Sequence, residues 1–418
     1  MSAGGIPVRL FVTCWLIYSL HFSSNIVREI YLALALGDNF SFRVDEYRGL
    51  HPDLFEKEGY GWHINGNPGA SMLAAIPYAL ARPVIDLATR RVQAGRMAAG
   101  GQEPPAYESP WPMAREFFAE AWRRGYDVKF GLAAFVTQSL CMAPLSALGV
   151  LAVFYPLRHL LASERLALWL SLLYAFGTPV FFRTGFLNHN MMIGHIVFLG
   201  FLALWNPGGL VVSSPSKRFA LAGLAGGLAL LLDYGGVLFL GGLLVYGLVR
   251  QARESGAAGT VRLAAMYAFG ALGPLLLLIF YQWRSFGHPL SPPQHWMPAT
   301  PFSGAGYQGF GIPQLDLLAA LLFDYRYGLF VAGPLMAFAL AAPFLDRGPG
   351  RRLPGREMAA LLGFFLGKAF ADQLWVALIV ALAVVGVVGL VIWWRERKRV
   401  QREKELAAAE GSPLPDVR

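Results

Sequence analysis

Charge is what this sequence has little of: Asp, Glu, Lys and Arg make up 15% of its 418 residues, against nearer a quarter in a soluble globular domain. The deficit lies in long, almost uncharged runs. With 56% hydrophobic residues, that excludes an ordinary soluble enzyme and a disordered chain. Cysteine is scarce as well, and Cys14 and Cys141 both sit in apolar runs, so no disulfide framework is written here. There is no P-loop, no strand-borne GxGxxG and no HExxH. The histidines lack ligand spacing, His189 and His195 being separated by i, i+6, so neither a metal site nor a cofactor is indicated. Acidic loop residues could bind a divalent cation, but their spacing specifies no geometry.

What is present is a succession of apolar runs and a net charge of +9. A transmembrane helix needs about 20 mostly apolar residues. Runs of that kind occur near 7–24, 131–156, 166–184, 191–205, 219–232, 235–249, 264–281, 317–345 and 374–394. They predict an all-α polytopic membrane protein with about nine crossings. The first run has a minimal polar start and no small-residue cleavage site after it, so a retained span is expected rather than a signal peptide. The segment 71–88, with Pro77, Arg82, Pro83 and Asp86, reads as a helix in the interface and not as a span. With the N-terminus cytoplasmic, Arg158, Arg165, Lys217, Arg218, Arg250, Arg253, Arg262, Arg347, Arg351, Arg352 and Arg356 then all fall on the cytoplasmic side. The basic excess is thereby accounted for by membrane topology, with no need of a nucleic-acid partner.

Three regions follow from that reading. Residues 1–345 form the main membrane module. A first outer loop at about 25–130 holds 13 of the 26 acidic residues, and a second loop at 282–316 is rich in Gly, Pro and aromatics. Within the first loop, Trp111, Phe118 and Trp122 recur at helical spacing, the pattern of a helix on a membrane surface. A C-terminal membrane segment spans 346–394, and a charged tail at 395–418 is expected to be disordered.

Polar groups that could carry chemistry collect at the outer ends of the apolar runs, where ionisable residues tend to line a cavity or pathway. Arg28 and Glu29 follow the first span, with Asp38, Asp45 and Glu46 soon after. A carboxylate here could remove a proton from an acceptor hydroxyl; solvated interfacial charge is the plainer alternative. The segment GYGWHINGNPGAS (59–71) places His63, Asn65 and Asn67 in a turn before a helix N-terminus that could receive a phosphate, or that simply caps the helix. Arg183, Asn188 and His189 gather in GTPVFFRTGFLNHN (177–190), suited to phosphate and sugar hydroxyls or to plain interfacial polarity. Asp233 ends another apolar run, and Asp324, Tyr325 and Arg326 stand among aromatics at the mouth of the run 317–345, as a lipid-phosphate clamp or a self-satisfied pair.

The order of these motifs resembles the GT-C superfamily of integral-membrane glycosyltransferases, in particular bacterial relatives of the dolichyl-phosphate-mannose–protein mannosyltransferases and the aminoarabinose transferases. The resemblance rests on REIYLALALGDNFSFRVDEY, GYGWHINGNPGASMLAAIPYAL, LYAFGTPVFFRTGFLNHN, GLAGGLALLLDYGG and WRSFGHPLSPP leading to LLFDYRYGLFVAGPLM, over about residues 7–345. It implies a polyprenyl-phosphate sugar donor, a glycan, lipid or protein acceptor, and transfer on the periplasmic face of a bacterial inner membrane. It implies too that an acidic residue after the first span is the general base: Glu29 first, then Asp38 and Asp45. Relatives often carry a Lys before the Pro-Gly of the second motif. The stretch Ile64–Gly69 has none, which shifts the expected phosphate contact to Arg183 and Arg326. Relatives also continue through several more spans beyond the point matching residue 360, where one strong span is found here. A transporter or flippase for a lipid-linked substrate would use the same arginines and aromatics, and a catalytically degenerate scaffold would keep the motifs without turnover.

Overall fold

The structure, a computed structural model, describes residues 5–101, 103–161, 163–299, 315–326 and 328–332, with the single positions 334, 357 and 363. The expected span at 374–394 and the tail at 395–418 lie outside the described residues, as do 300–314 of the second loop. Helix α1 (Gly5–Leu20) is joined by a short link to α2 (Arg28–Asn39). A hairpin, β1 (Leu54–Lys57) and β2 (Gly61–Ile64), precedes α3 (Gly69–Ala98) and α4 (Pro112–Arg123). Helix α5 (Asp127–Thr137) runs through a π-turn at Gln138–Met142 into α6 (Ala143–Leu160). Then come α7 (Glu164–Phe176), the short α8 (Val180–Arg183), α9 (His189–Trp205), α10 (Pro215–Leu232), α11 (Gly236–Phe286), α12 (Leu315–Phe323) and α13 (Leu329–Ala332).

The chain is thus a mostly helical membrane protein. Among the described residues, three helices are long and apolar enough to cross a bilayer: Gly69–Ala98, Asp127–Leu160 and Ala258–Phe286. Gly5–Leu20, His189–Trp205 and Gly236–Gln251 are shorter apolar helices. Large apolar side chains such as Leu16, Leu80, Trp169, Phe269 and Leu276 are exposed on the helix exteriors, as a lipid-facing surface requires.

Three expectations are corrected, and one is kept. The segment read as a short interfacial helix at 71–88 belongs to a continuous 30-residue helix, about 45 Å long. The Ala, Leu, Arg, Gln and Met residues after Asp86 are strong helix formers and carry it on past the apolar stretch, through both prolines. The run 166–184 stops at Phe176 after 13 residues, where Gly177-Thr178-Pro179 breaks the helix. The runs 235–249 and 264–281 stay separate, as expected: α11 is broken at Gly256 (φ 62°, ψ −179°), a conformation open almost solely to glycine, between Gly236–Gln251 and Ala258–Phe286. The run 317–345 is interrupted after Phe323, where the Asp324 carboxylate accepts the Arg326 amide at 2.8 Å and turns the backbone.

Packing against α6 and α7 uses one stripe of α1, Leu10, Cys14 and Tyr18, with the Tyr18 hydroxyl donating to the Ala175 carbonyl at 3.1 Å. At the π-turn the buried Gln138 amide donates to the carbonyls of Tyr18 (2.8 Å) and Thr184 (3.1 Å), tying α1, α5–α6 and α8 together. The tightest approach is between α10 and α11. A Cβ on Gly223 would lie 1.9 Å from the Tyr267 carbonyl, and one on Gly270 1.9 Å from that of Ala220. Small residues here let the backbones close.

The two expected outer loops meet. Phe55 on β1 stacks on Phe286 at 6.1 Å, the Lys57 ammonium donates to the Phe286 carbonyl, and it also covers the rings of Tyr60 (4.2 Å) and Trp296 (3.8 Å). The hairpin is thus clamped to the segment after α11.

Gly223→Ala is expected to destabilise the α10–α11 pair by about 1–3 kcal/mol, the usual scale of overpacking. Gly194→Ala, whose Cβ would meet nothing within 4 Å, should leave the protein unchanged. Thermal unfolding of both variants in detergent, followed by loss of monodisperse protein, checks the contrast.

Candidate functional site

The chain leaves α1 through an extended link, Ser23 donating its amide to the Gly185 carbonyl at 2.8 Å. This pins the start of α2 beside the segment that leads into α9. Glu29 falls in the first turn of α2, where a carboxylate suits the helix dipole. It is 4% exposed. Its Oε1 accepts from Arg28 Nε at 3.2 Å and from His189 Nδ1 at 2.9 Å. The other face of the Arg28 guanidinium donates through Nη1 to Asp53 Oδ2 at 3.0 Å. His51, in the same turn as Asp53, accepts the Asp53 amide on Nδ1 at 3.0 Å.

Neighbouring segments close around this group. The Ser71 hydroxyl at the head of α3 donates to the Glu29 carbonyl at 2.8 Å. A Cβ on Gly66 would come within 3.0 Å of Arg28 Nε, so the turn before α3 lies directly on the guanidinium. The Asn65 amide donates to the Asp53 carbonyl at 2.8 Å, and Asn67 Nδ2 donates to the Leu230 carbonyl of α10 at 2.7 Å. The side-chain oxygens of both asparagines are buried and accept no hydrogen bond. Asn188 caps α9, its Oδ1 accepting the Met191 amide at 3.2 Å, and so fixes the helix that carries His189.

Electrostatics follow from this geometry. Burial works against ionised Glu29, but the hydrogen bond from His189 and the charge of Arg28 outweigh it and hold the carboxyl below its ordinary range. Burial also works against charged Arg28, yet Glu29 and Asp53 raise it above its usual value. His51 is lowered, chiefly by burial, against the opposing pull of Asp53 and Glu29. His51 also belongs to the wall of a cavity of about 990 Å³, bounded by Ser23–Ile26 and Pro52 on one side and by Trp111, Phe117 and Phe118 around α4 on the other. Glu29, Arg28 and His189 do not line it; the link from the chamber to the carboxylate runs from His51 through Asp53 and Arg28.

Of the residues singled out from sequence, the structure brings together Arg28, Glu29, Asn65, Asn67, Asn188 and His189. The remainder lie elsewhere. Asp38 is nine residues along α2 from Glu29, about 13 Å away. It is engaged by Lys129 (2.7 Å), Arg82 (3.1 Å) and the Tyr78 hydroxyl (2.8 Å). Asp45 pairs with Arg43 at 2.7 Å and accepts the Trp62 amide at 2.7 Å. His63 is buried, with both ring nitrogens 3.2 Å from carbonyls, those of Phe42 and Tyr60. Burial lowers its pKa. Asp233 caps α10 and accepts the Gly235 amide at 2.8 Å. Tyr325 and Arg326 are exposed and bond to each other at 2.5 Å. Arg183 is exposed at the end of α8, with no ion-pair or hydrogen-bond partner for its side chain among the described residues.

His51 and Asp53 were missed by reasoning from sequence. The HPD tripeptide at 51–53 carries the only available hint, an acid and an imidazole either side of a proline. Among the described residues no group of three His, Cys, Asp or Glu side chains is placed to hold a metal ion. Comparisons with protein-family models, with curated proteins and with solved structures found no match to this chain.

Two predictions test the division between the two acidic clusters. Asp38→Asn strands Lys129, while Arg82 keeps Asp86 at 3.5 Å, and should cost on the order of 2–3 kcal/mol, a buried-pair loss reduced by the partial exposure of Arg82. Asp45→Asn should cost about 1 kcal/mol or less; thermal unfolding of both variants gives the comparison. Because the folded-state pKa of Glu29 is depressed, its stabilisation is present above the ordinary carboxyl value of 4.5 and is lost as pH falls through the lower folded value. Melting temperature should therefore fall less steeply under acid in Glu29→Gln than in the unaltered protein.

Proposed function

We propose that this chain is an integral-membrane glycosyltransferase of the GT-C type, moving a sugar from a polyprenyl-phosphate carrier to a hydroxyl of a glycan, lipid or protein acceptor. In this reading about nine helices cross a bacterial inner membrane, α3 is not one of them despite its length, and the Glu29 centre faces the periplasm under the positive-inside distribution of arginines that this count gives. One observation carries the proposal. Directly after the first apolar helix, a buried carboxylate is held ionised by an arginine and an imidazole at the end of the bundle, and the turn that carries their partner Asp53 also carries His51 into the wall of a cavity of about 990 Å³.

The chemistry suits a single such centre. A polyprenyl phosphate leaves as an already acidic phosphate and needs no proton, so one base suffices where a glycosidase uses two carboxyls. The acceptor hydroxyl displaces the phosphate at the anomeric carbon in one inverting step, its proton passing to the Glu29 centre. Arg28 is committed to two carboxylates. The unpartnered Arg183 is the better candidate to neutralise the departing phosphate, with Arg326 the second.

The test is turnover by purified protein in nanodiscs, with a panel of polyprenyl-phosphate sugars and release of free polyprenyl phosphate as the readout. Glu29→Gln should reduce kcat by about 10²–10⁴, the usual worth of a positioned acid or base. Arg183→Ala should raise donor KM more than it lowers kcat. Donor bound tightly without release by the unaltered protein would favour a transporter or a degenerate scaffold.

A further inference from the structure

Within the glycosyl-transfer reading, on which this inference rests, we propose that His189 is the base that takes the acceptor proton and that Glu29 is a positioning residue acting through it. The two groups differ in access. The Glu29 side chain is 5% exposed and that of His189 19%. The carboxylate already receives two donors on Oε1, from Arg28 and His189. Oε2 remains on a side chain that is almost wholly enclosed. The imidazole is the more accessible acceptor, and its Nε2 has no hydrogen-bond partner among the described residues.

The tautomer follows from the partner. An ionised carboxylate only accepts, so the bond at 2.9 Å places the proton on His189 Nδ1. The lone pair is left on Nε2. This is the arrangement in which a buried acid orients an imidazole and stabilises the imidazolium that forms. Of the other described histidines near this end of the bundle, His21 is stacked on Phe181 at 4.1 Å with no carboxylate to orient it among the described residues, and the next two are engaged by backbone. His63 has both nitrogens on carbonyls, while His51 accepts an amide on Nδ1 and so carries its proton on Nε2, as a donor. Backbone anchoring holds His189 in place, because Asn188 caps the same helix turn and Gly185 bonds to Ser23. The depressed pKa of Glu29 argues the same way, since a carboxylate held ionised is a weak proton acceptor.

The step balances without another reactant. The acceptor oxygen forms its bond to the anomeric carbon as the bond from that carbon to the phosphate oxygen breaks, and the bonding pair leaves on polyprenyl phosphate. The hydroxyl proton passes to His189 Nε2, giving an imidazolium paired with Glu29, and is then released to water.

Chemical rescue tests the assignment. His189→Gly should lose about 10²-fold or more in kcat, with donor KM little changed, and added imidazole should restore part of the rate. His189→Gln can keep a donor toward Glu29 but cannot take a proton at that point, and should be as slow while folding normally. Imidazole should not restore Glu29→Gln. Independently of turnover, diethyl pyrocarbonate should carbethoxylate His189 in the unaltered protein before His63, as read by peptide mass spectrometry. Near-normal kcat in His189→Gln, or rescue of Glu29→Ala by formate, would overturn the base assignment while leaving glycosyl transfer standing. No turnover of any donor by the unaltered protein would overturn both. Failure of His189 to react would remove the free Nε2.

Discussion

Glu29 cannot be buried alone. Removing a carboxylate from water costs several kcal/mol even after relaxation, and the structure meets that cost with segments far apart in sequence. Arg28 comes from the same helix turn and His189 from the head of α9, while the Ser71 hydroxyl at the head of α3 fixes the backbone beneath them through the Glu29 carbonyl. Arg28 in turn draws in Asp53, whose backbone is bonded to Asn65, and the turn at 65–67 is fastened through Asn67 to the end of α10. One ionised side chain thus organises the meeting of four helices with the loop that covers them.

The bilayer imposes the second constraint. In hydrocarbon the hydrophobic effect does not draw helices together, so close contact depends on small residues and on satisfied polar groups. The first device appears between α10 and α11, where glycine backbones touch carbonyls. The second appears at the π-turn, where Gln138 bonds carbonyls of two other segments. Rigidity at these two places holds the ends of α1, α9 and α10 in register, and those ends carry the site.

What the sequence disclosed depended on how local the signal was. The helical character of the apolar runs and the helix at α4 rest on neighbouring residues, and both were legible. His189 was legible as a polar residue at a helix end, but its bond to Glu29 joins positions 160 residues apart, and no pattern announces that. Asp53 and His51 stayed hidden because their role is to balance Arg28, and a short loop gives no periodicity from which to infer a partner. Asp38 misled for the opposite reason. It sits close to Glu29 in sequence, yet the turn of α2 sends it to Lys129 and Arg82. The length of α3 was misjudged because two prolines and a falling apolar content look like an end, while helix propensity in the next residues continues it.

Formal charge at the centre suggests why the carboxylate is shared in this way. Glu29 and Asp53 contribute two negative charges and Arg28 one positive, so with a neutral His189 the buried group carries a net negative charge. A proton arriving on the imidazole brings the group to neutrality, and charges in a low-dielectric site interact far more strongly than in water. In the proposed reaction a proton passing from the acceptor to His189 would meet that charge as the transition state forms, which is when stabilisation accelerates a step. Arg28 acts from the other side: its guanidinium lies on both Glu29 and Asp53 and offsets one of the two carboxylate charges, which helps to hold Glu29 ionised against its burial.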